Sequence, residues 1–209
     1  HLAGWSPEWR TRFTLGLGVS HAPLIDQAGP GTYARPYSKM VEYLDGLDAA
    51  AEPVGAADRL LAALRPRMVE LARDRAAGVH PYFVPAEHIA RARALLGSGP
   101  TIAAELAVVL DPDATTARAT ARGHTERYLQ LPNYTNNLRQ FGFGDDDLAG
   151  AGSDRLVDAI VAWGDLDAIA RRVAEFRQAG ADHVCVQVIR PDDVLPREEW
   201  RLLADALVG

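Results

Sequence analysis

Short apolar runs alternate with amphipathic segments along most of the chain. Five apolar runs have the length and continuous hydrophobicity of buried strands. They are RFTLGLGV, RLLAAL, VHPYFV, TIAAELAVVLD and DHVCVQVI. Between them, segments such as RPRMVELARDRAAG and DLDAIARRVAEFRQAGA place apolar residues at helical spacing. Strands that alternate with helices predict an α/β fold, in which a parallel sheet is covered by helices.

A long excursion separates the fourth predicted strand from the fifth. Residues 112–164 contain helical stretches and the segment LPNYTNNLRQFGFGDDDLAGAGSD, whose Asn, Gly and Asp content predicts a surface loop. Connections of this length in a compact domain are usually lids, binding loops or disordered segments. We therefore expect residues 1–209 to form a single domain, with a lid over about 112–164.

Composition argues against several classes of function. The 209 residues carry a net charge of −6, and no basic cluster is free of acidic residues, so we expect no nucleic-acid partner. No apolar run reaches the roughly 18 residues of a membrane span. The single cysteine, Cys185, argues against a disulfide framework and is typical of a cytoplasmic protein. The histidines are scattered rather than grouped at metal-ligand spacing, so we expect no metal site.

Ligands bind at the carboxyl ends of strands both in open parallel sheets and in barrels, so the residues that follow strands are the site candidates. The first strand carries two glycines, which usually mark the close approach of another backbone or of a ligand. The candidates near the first strand are Gly16, Gly18, Val19, Ser20 and His21. The candidates for substrate contact are His80 and Tyr82 after the third strand, and Asn133 and Tyr134 in the excursion.

The histidines and the tyrosine also have simpler interpretations. His21 has the chemistry of a general acid or base, or of a donor to a ligand carbonyl, but a histidine after a strand, such as His21 or His80, is more often a structural hydrogen-bonding group. Tyr82 is suited to wall a planar ring or to pack in the core. His88 and His124 fall on predicted helices, where we expect them at the surface.

The second strand ends just before a helix that begins with Pro66. A helix start of this kind presents unpaired N–H groups and the positive end of the helix dipole, an arrangement that binds phosphate. The turn consists of Ala63, Leu64, Arg65, Pro66, Arg67 and Met68. Its two arginines either add bidentate donors for an anion or are simply solvated side chains.

Four segments together resemble the luciferase-like monooxygenase superfamily, and within it the branch of coenzyme F420-dependent oxidoreductases. They are RFTLGLGVSHAPL, RPYSKMVEYLDGLDAA, RLLAALRPRMVELARDRAAGVHPYFV and AGADHVCVQVI, and the likeness runs from about Trp9 to Ile189. The resemblance implies a (β/α)8 TIM barrel of the bacterial luciferase type, here incomplete. About five parallel strands match the family's strands 4 to 8, with a helical and loop insertion before the last strand. The family's first three βα units have no counterpart here.

By this resemblance, the glycines at 16 and 18 let a deazaflavin or flavin ring lie close to the barrel mouth. The turn of residues 63–68 then holds the cofactor phosphate through its backbone N–H groups. The family usually has glycine before the proline, where this chain has Arg65, whose side chain either crowds the phosphate or assists with its charge. Catalytic residues from the family's first three strands cannot be carried over, which leaves His21 as the candidate in this sequence.

The resemblance implies a homodimeric oxidoreductase that uses coenzyme F420 to move hydride to or from a small organic substrate beneath the excursion. An FMN-dependent monooxygenase on the same scaffold is the alternative enzyme, and no residue of the sequence separates the two. A hypothesis of another class is a catalytically inactive truncated barrel, or a fragment completed by a partner.

Overall fold

The computed structural model describes residues 4–29, 31, 33–192 and 194–208. The chain forms two units, of which the first comprises His1–His80 and Ala94–Thr101 and the second comprises Pro81–Arg93 and Ile102–Gly209. All described strands pair in parallel within these units. The fold class is therefore α/β with parallel strands, as the alternation of apolar and amphipathic segments predicted.

The first unit contains three short parallel strands, β1 (Leu15–Leu17), β2 (Arg59–Leu61) and β3 (Gly78–Val79), with β2 in the centre. Its helices are α1 (Pro7–Thr11), α2 (Ala22–Ile25), α3 (Pro36–Asp48) and α4 (Pro66–Arg75), with 3₁₀ turns at Asp26–Ala28 and Ala56–Asp58. Helix α5 (Ala86–Leu96) contributes residues to both units. The strands are shorter than predicted; β1 and β2 lie within their predicted apolar runs, whereas β3 begins one residue before its run and overlaps it at Val79.

Two polar features hold the first unit together. The guanidinium of Arg59 is buried and donates to the carboxylate of Asp48, at 2.6 Å, and to the carbonyl of Arg75. Gly78 begins β3 because a side chain there would collide with Thr101, whose carbonyl oxygen would lie 1.9 Å from an added Cβ. Arg59 is the first residue of β2 and Gly78 the first residue of β3, so these two features lie where the two strands begin.

The second unit is built on β4 (Thr101–Val109), which is buried along its length after Thr101. Strands β5 (Val161–Trp163) and β6 (His183–Val188) both pair with it in parallel. Helix α10 (Leu166–Gln178) buries Ile169, Val173 and Phe176, as its apolar spacing predicted, and α11 (Arg197–Val208) ends the chain.

The excursion is helical in parts, as predicted, but its segment LPNYTNNLRQFGFGDDDLAGAGSD also forms packed helices and turns, so the prediction of a surface loop there was wrong. It forms α6 (Ala114–Leu129), α7 (Pro132–Leu138), α8 (Asp145–Leu148) and α9 (Asp154–Ile160), with a 3₁₀ turn at Arg139–Phe141. The apolar residues scattered among its Asn, Gly and Asp residues are buried, namely Tyr134, Leu138, Phe143 and Leu148. It also contains β5, a sixth strand beyond the five predicted. Among the described residues, no helix combines the length and apolarity needed to cross a bilayer.

Candidate functional site

The turns that follow β1 and β2 lie at one edge of the first unit's sheet. Leu15 pairs with Arg59 and Leu17 with Leu61, so the two strands run side by side in the same direction. The N–H of Ala62 donates to the carbonyl of Leu17 at 2.7 Å and extends the ladder beyond β2. The segment from Gly18 to His21 and the turn of residues 63–68 therefore begin at neighbouring positions.

Gly16, within β1, and Gly18, just after it, have different surroundings. A Cβ added to Gly16 would meet no atom within 4 Å, so its backbone is open to a close approach. A Cβ added to Gly18 would lie 3.3 Å from the Cβ of Ala62, tighter than ordinary side-chain contact. Gly18 thus serves the packing of β1 against β2, whereas Gly16 has the free space that a ligand needs.

A cavity of about 520 Å³ lies beside β1. Three of the predicted cofactor contacts, Gly16, Gly18 and Val19, line it together with residues of α2, α3 and the segment between those helices. The lining is largely apolar, with Lys39 as its charged member. This volume falls within the range of small-molecule sites.

Ser20 and His21 turn the chain away from β1. Ser20 has a left-handed backbone, with φ of 59°, and its carbonyl accepts a hydrogen bond from the Tyr33 hydroxyl. A residue that is not glycine rarely adopts this conformation, and such residues concentrate at functional sites. His21 precedes α2 and is half-buried, and burial lowers the pKa of its imidazole, so the ring is neutral at pH 7.

The start of α4 offers cations and one free N–H group. Arg65 and Arg67 are exposed, and the Arg67 guanidinium stacks on the Tyr37 ring at 4.2 Å. Pro66 has no N–H, the N–H of Met68 donates to the Arg65 carbonyl, and the N–H of Arg67 has no partner among the described residues. Arg65 has an extended backbone, with φ of −110°, so this position does not need glycine. The turn does not line the cavity beside β1.

The four predicted substrate residues are divided between the units. His80 belongs to the first unit, where it is half-buried and its N–H donates to the carbonyl of Leu61. Tyr82, Asn133 and Tyr134 belong to the second unit. Tyr82 and Tyr134 share an aromatic cluster, with ring centroids 6.4 Å apart, whereas Asn133 is half-buried on α7.

The Tyr82 hydroxyl is the centre of a hydrogen-bond chain in the second unit. It donates to Oε1 of Gln187 at 2.8 Å and lies 2.9 Å from the Tyr128 hydroxyl. Burial raises the pKa of Tyr82 far above its usual range, so its hydroxyl keeps its proton. Since that one proton is given to Gln187, Tyr128 is the donor to Tyr82.

A buried carboxyl group supports the turn that carries Tyr82. Oε2 of Glu105 accepts the N–H of Phe83 at 3.2 Å, and the N–H of Glu105 donates to the carbonyl of Pro81. Phe83 has a left-handed backbone, with φ of 56°, which these bonds help to hold. Burial raises the pKa of Glu105 to about 7, and its Oε1 is buried with no hydrogen-bond partner among the described residues.

The prediction that His88 and His124 lie at the surface was wrong. His88 is 3% exposed and His124 is 8% exposed. Nδ1 of His88 lies 3.3 Å from the amide nitrogen of Asn137, and the His124 ring packs 4.8 Å from the Tyr128 ring, centroid to centroid. Burial and the nearby Arg127 charge lower the pKa of His124 to about 4, so its imidazole is neutral at pH 7.

Sequence reasoning did not select Glu105, His124 or Tyr128. Glu105 carried a signal, because it is the one charged residue within an otherwise apolar strand, and a buried charge needs a reason. His124 and Tyr128 are four residues apart on α6 and share a helix face, a pattern that also fits an exposed surface. Among the described residues, no group of three or more His, Cys, Asp or Glu side chains is arranged to hold a metal ion.

Three solved structures share this fold. An F420-dependent secondary alcohol dehydrogenase in complex with an F420–acetone adduct matches with a TM-score of 0.65 and 11% identity, over 93% of this chain and 69% of that one. A coenzyme F420-dependent tetrahydromethanopterin reductase from Methanopyrus kandleri matches with a TM-score of 0.60 and 16% identity, over 92% and 72% of the two chains. Apo-MsnO8 matches with a TM-score of 0.56 and 18% identity, over 94% and 69%. The predicted fold class, an incomplete barrel of the luciferase-like type, is confirmed.

The family follows from the sequence match. A search of curated proteins found no match to the chain. A family model described as luciferase-like monooxygenase matches residues 10–183, which is most of the chain and includes both strand-end turns of the first unit. The chain belongs to the luciferase-like monooxygenase family.

Proposed function

We propose that this chain binds coenzyme F420 and takes part in hydride transfer to or from a small organic substrate. The observation that carries the proposal is the parallel register of β1 and β2, which brings the open backbone at Gly16 and the cationic start of α4 to one sheet edge. The shared fold with two enzymes described as F420-dependent supports the choice of cofactor.

The residues at this edge fit a cofactor with a planar ring and a phosphate. Gly16 has no atom within 4 Å of an added Cβ and lines a largely apolar cavity, which suits a ring lying against the backbone. The start of α4 adds the guanidinium groups of Arg65 and Arg67 and the unpartnered N–H of Arg67. A phosphate is stabilised by such a helix start and by bidentate donors.

In this proposal, the chain's own groups bind and orient. Gly16 and Val19 would face the ring, while Arg65 and Arg67 would hold the phosphate. When bound, F420 supplies the ring carbon that accepts or donates the hydride. His21, neutral at pH 7 and half-buried at the same edge, would hold a hydrogen bond to the ring or to the substrate.

The test is a fluorescence titration of the purified chain with F420 and, separately, with FMN. We expect saturable quenching of F420 emission and weaker binding of FMN. Tight binding of FMN without binding of F420 would replace the proposal with the FMN-dependent monooxygenase. Failure of both cofactors to bind would favour the catalytically inactive fragment.

Two variants with matched controls locate the site. Gly16→Leu adds a side chain where the fold has room, and we expect it to weaken F420 binding by at least tenfold, an order of magnitude typical of a blocked close contact. Gly46→Leu is the control, because Gly46 is equally open but lies on α3 away from the cavity lining.

The phosphate contacts are tested by charge reversal. Arg67→Glu should weaken F420 binding by about tenfold or more, as expected for loss of a charge-assisted contact. Arg12→Glu is the control, since Arg12 is also exposed and stacked on an aromatic ring, that of Trp9, but precedes β1 rather than following a strand. Equal effects of the two reversals would contradict the phosphate assignment.

A further inference from the structure

The second unit contains its own cavity, of about 760 Å³, between α6 and the segment that follows β6. One face of α6 and residues 187–192 line it. All of these residues lie in the second unit, so this cavity is formed independently of the one beside β1.

Two charged residues that line this cavity, Arg190 and Asp192, form an ion pair with each other. The Arg190 guanidinium pairs with the carboxylate of Asp192 at 2.8 Å and with the carboxylate of Glu199. The Arg190 pair holds the pKa of Asp192 below its usual range, so the carboxylate remains ionised and bound to Arg190. The paired Arg190 and Asp192 therefore offer neither a free cation nor a free anion to a ligand.

Other residues that line the cavity carry hydrogen-bond donors. Arg127 is exposed and forms no ion pair within the described part of the chain. Oε1 of Gln187 accepts the Tyr82 hydroxyl, which leaves the amide NH₂ of Gln187, a double donor, for a ligand. Thr120 adds a hydroxyl group to the same wall. His124 is neutral at pH 7 and so adds no second charge.

We propose that this cavity binds an organic molecule through one carboxylate or phosphate group, held by the Arg127 guanidinium and the Gln187 amide. Oxyanions match this donor set because each oxygen accepts hydrogen bonds and the guanidinium neutralises the charge. Tyr82 is a positioning residue, because its proton fixes which end of the Gln187 amide faces the ligand. Binding at this cavity does not depend on the proposed function.

The test uses benzoate and phenyl phosphate as probes, with benzyl alcohol as the neutral analogue and no F420 in any sample. Binding is followed by NMR shifts of the Gln187 side-chain amide, identified by its loss in Gln187→Leu. We expect saturable shifts with at least one anion and none with benzyl alcohol. Binding of benzoate alone would assign a carboxylate, and binding of phenyl phosphate alone a phosphate.

The variants separate the charge from the amide. Arg127→Gln should weaken binding of the anion about five- to tenfold, the range of one exposed charge-assisted hydrogen bond. Arg171→Gln, at an exposed arginine of α10 outside the cavity lining, should leave binding unchanged. Tyr82→Phe should weaken binding while Arg127 is intact, because the amide loses its fixed orientation, and melting curves check that this variant folds.

Equal binding of benzyl alcohol, no binding of either anion, or an Arg127→Gln variant that binds as tightly as the parent would each overturn the inference. The cofactor titration and the Gly16 variant do not involve this cavity, so failure of one proposal is distinguishable from failure of the other.

Discussion

The Cβ of Ala62 lies 3.3 Å from the position that a Cβ would occupy on Gly18. The same Ala62 donates its N–H to the carbonyl of Leu17, so the two chains stay paired just beyond the ends of β1 and β2. Two residues earlier, at Gly16, the space beside the backbone is open. The GLG sequence thus contains one glycine required by strand packing and one that leaves room for a ligand.

This difference predicts opposite effects of valine at the two positions. Gly16→Val should leave stability unchanged or raise it by about 0.5 kcal/mol, because glycine weakens a strand and valine favours one. Gly18→Val should lower stability by about 1–3 kcal/mol, because the new methyl groups press on Ala62. Urea unfolding monitored by tryptophan fluorescence measures both. Equal destabilisation by the two variants would contradict the assignment of roles.

The shifted pKa values of Glu105 and His124 predict two opposing pH dependences of stability, which become visible when one of the two residues is replaced. The Glu105 carboxyl has a pKa of about 7 when folded and about 4.5 when unfolded, so its contribution to stability is lost as pH rises from about 4.5 through 7. The His124 imidazole has a pKa of about 4 when folded and 6.5 when unfolded, so stability is lost as pH falls from 6.5 through 4. Each contribution is about 3 kcal/mol, and the two oppose each other.

Glu105→Gln should therefore remove the loss at rising pH and leave a protein whose stability increases steadily from pH 4 to 6.5. His124→Leu should give the reverse slope, with stability falling between pH 4.5 and 7. Urea midpoints measured across this range test the slopes, whatever each substitution does to absolute stability. A parent and two variants with parallel pH profiles would contradict the burial of these charges.

Asp48 should matter more to the first unit than its neighbour Asp45. Asp48 pairs with the Arg59 guanidinium, whose side chain is 2% exposed, whereas Asp45 pairs with Arg75, which is 29% exposed. Removing the partner of a buried cation leaves that charge uncompensated, while exposed pairs contribute little. Asp48→Asn should lower the unfolding midpoint clearly more than Asp45→Asn does. Similar midpoints for both variants would argue against this role of Arg59.

Cys185 reports on the charge of Glu105. The thiol is partly exposed, and partial burial together with the Glu105 charge raises its pKa. Because the chain has one cysteine, its alkylation by iodoacetamide is measured without interference. Glu105→Gln should increase the alkylation rate at pH 8, where Glu105 is ionised, and change it little at pH 5.5. An equal change at both pH values would indicate altered exposure instead.

The strand and helix pattern was predictable because it depends on local spacing. Four of the five apolar runs contain a strand, the fifth overlaps β3 at Val79, and the helix that begins at Pro66 is present. The segment LPNYTNNLRQFGFGDDDLAGAGSD was predicted to be a loop because its Asn, Gly and Asp residues are typical of loops. Its apolar residues Tyr134, Leu138 and Phe143 are nevertheless buried in the second unit. Composition reports average polarity and does not identify which few apolar residues are buried.

The candidate site was predictable only in part. The rule that ligands bind at strand ends selected Gly16, Val19 and the turn of residues 63–68, and the parallel register of β1 and β2 brings their segments to one edge. The cofactor and substrate roles of these residues stay predictions, as do the lid, the homodimer and the single domain. The importance of Glu105 and His124 was missed, because burial at a given position depends on neighbours far away in the chain.

By itself, the sequence determined the α/β class, the direction of the strands and the family, because hydrophobic periodicity and the order of motifs are properties of the chain read along its length. Tertiary structure alone decided that Gly18 packs against Ala62 while the space beside Gly16 stays open. It also decided which polar groups are buried and which of them form hydrogen bonds with each other. The Tyr82 hydroxyl and Gln187, 105 residues apart, share a hydrogen bond of 2.8 Å. No local pattern encodes such a contact, because it exists only when the strands that carry its partners are brought together by the fold.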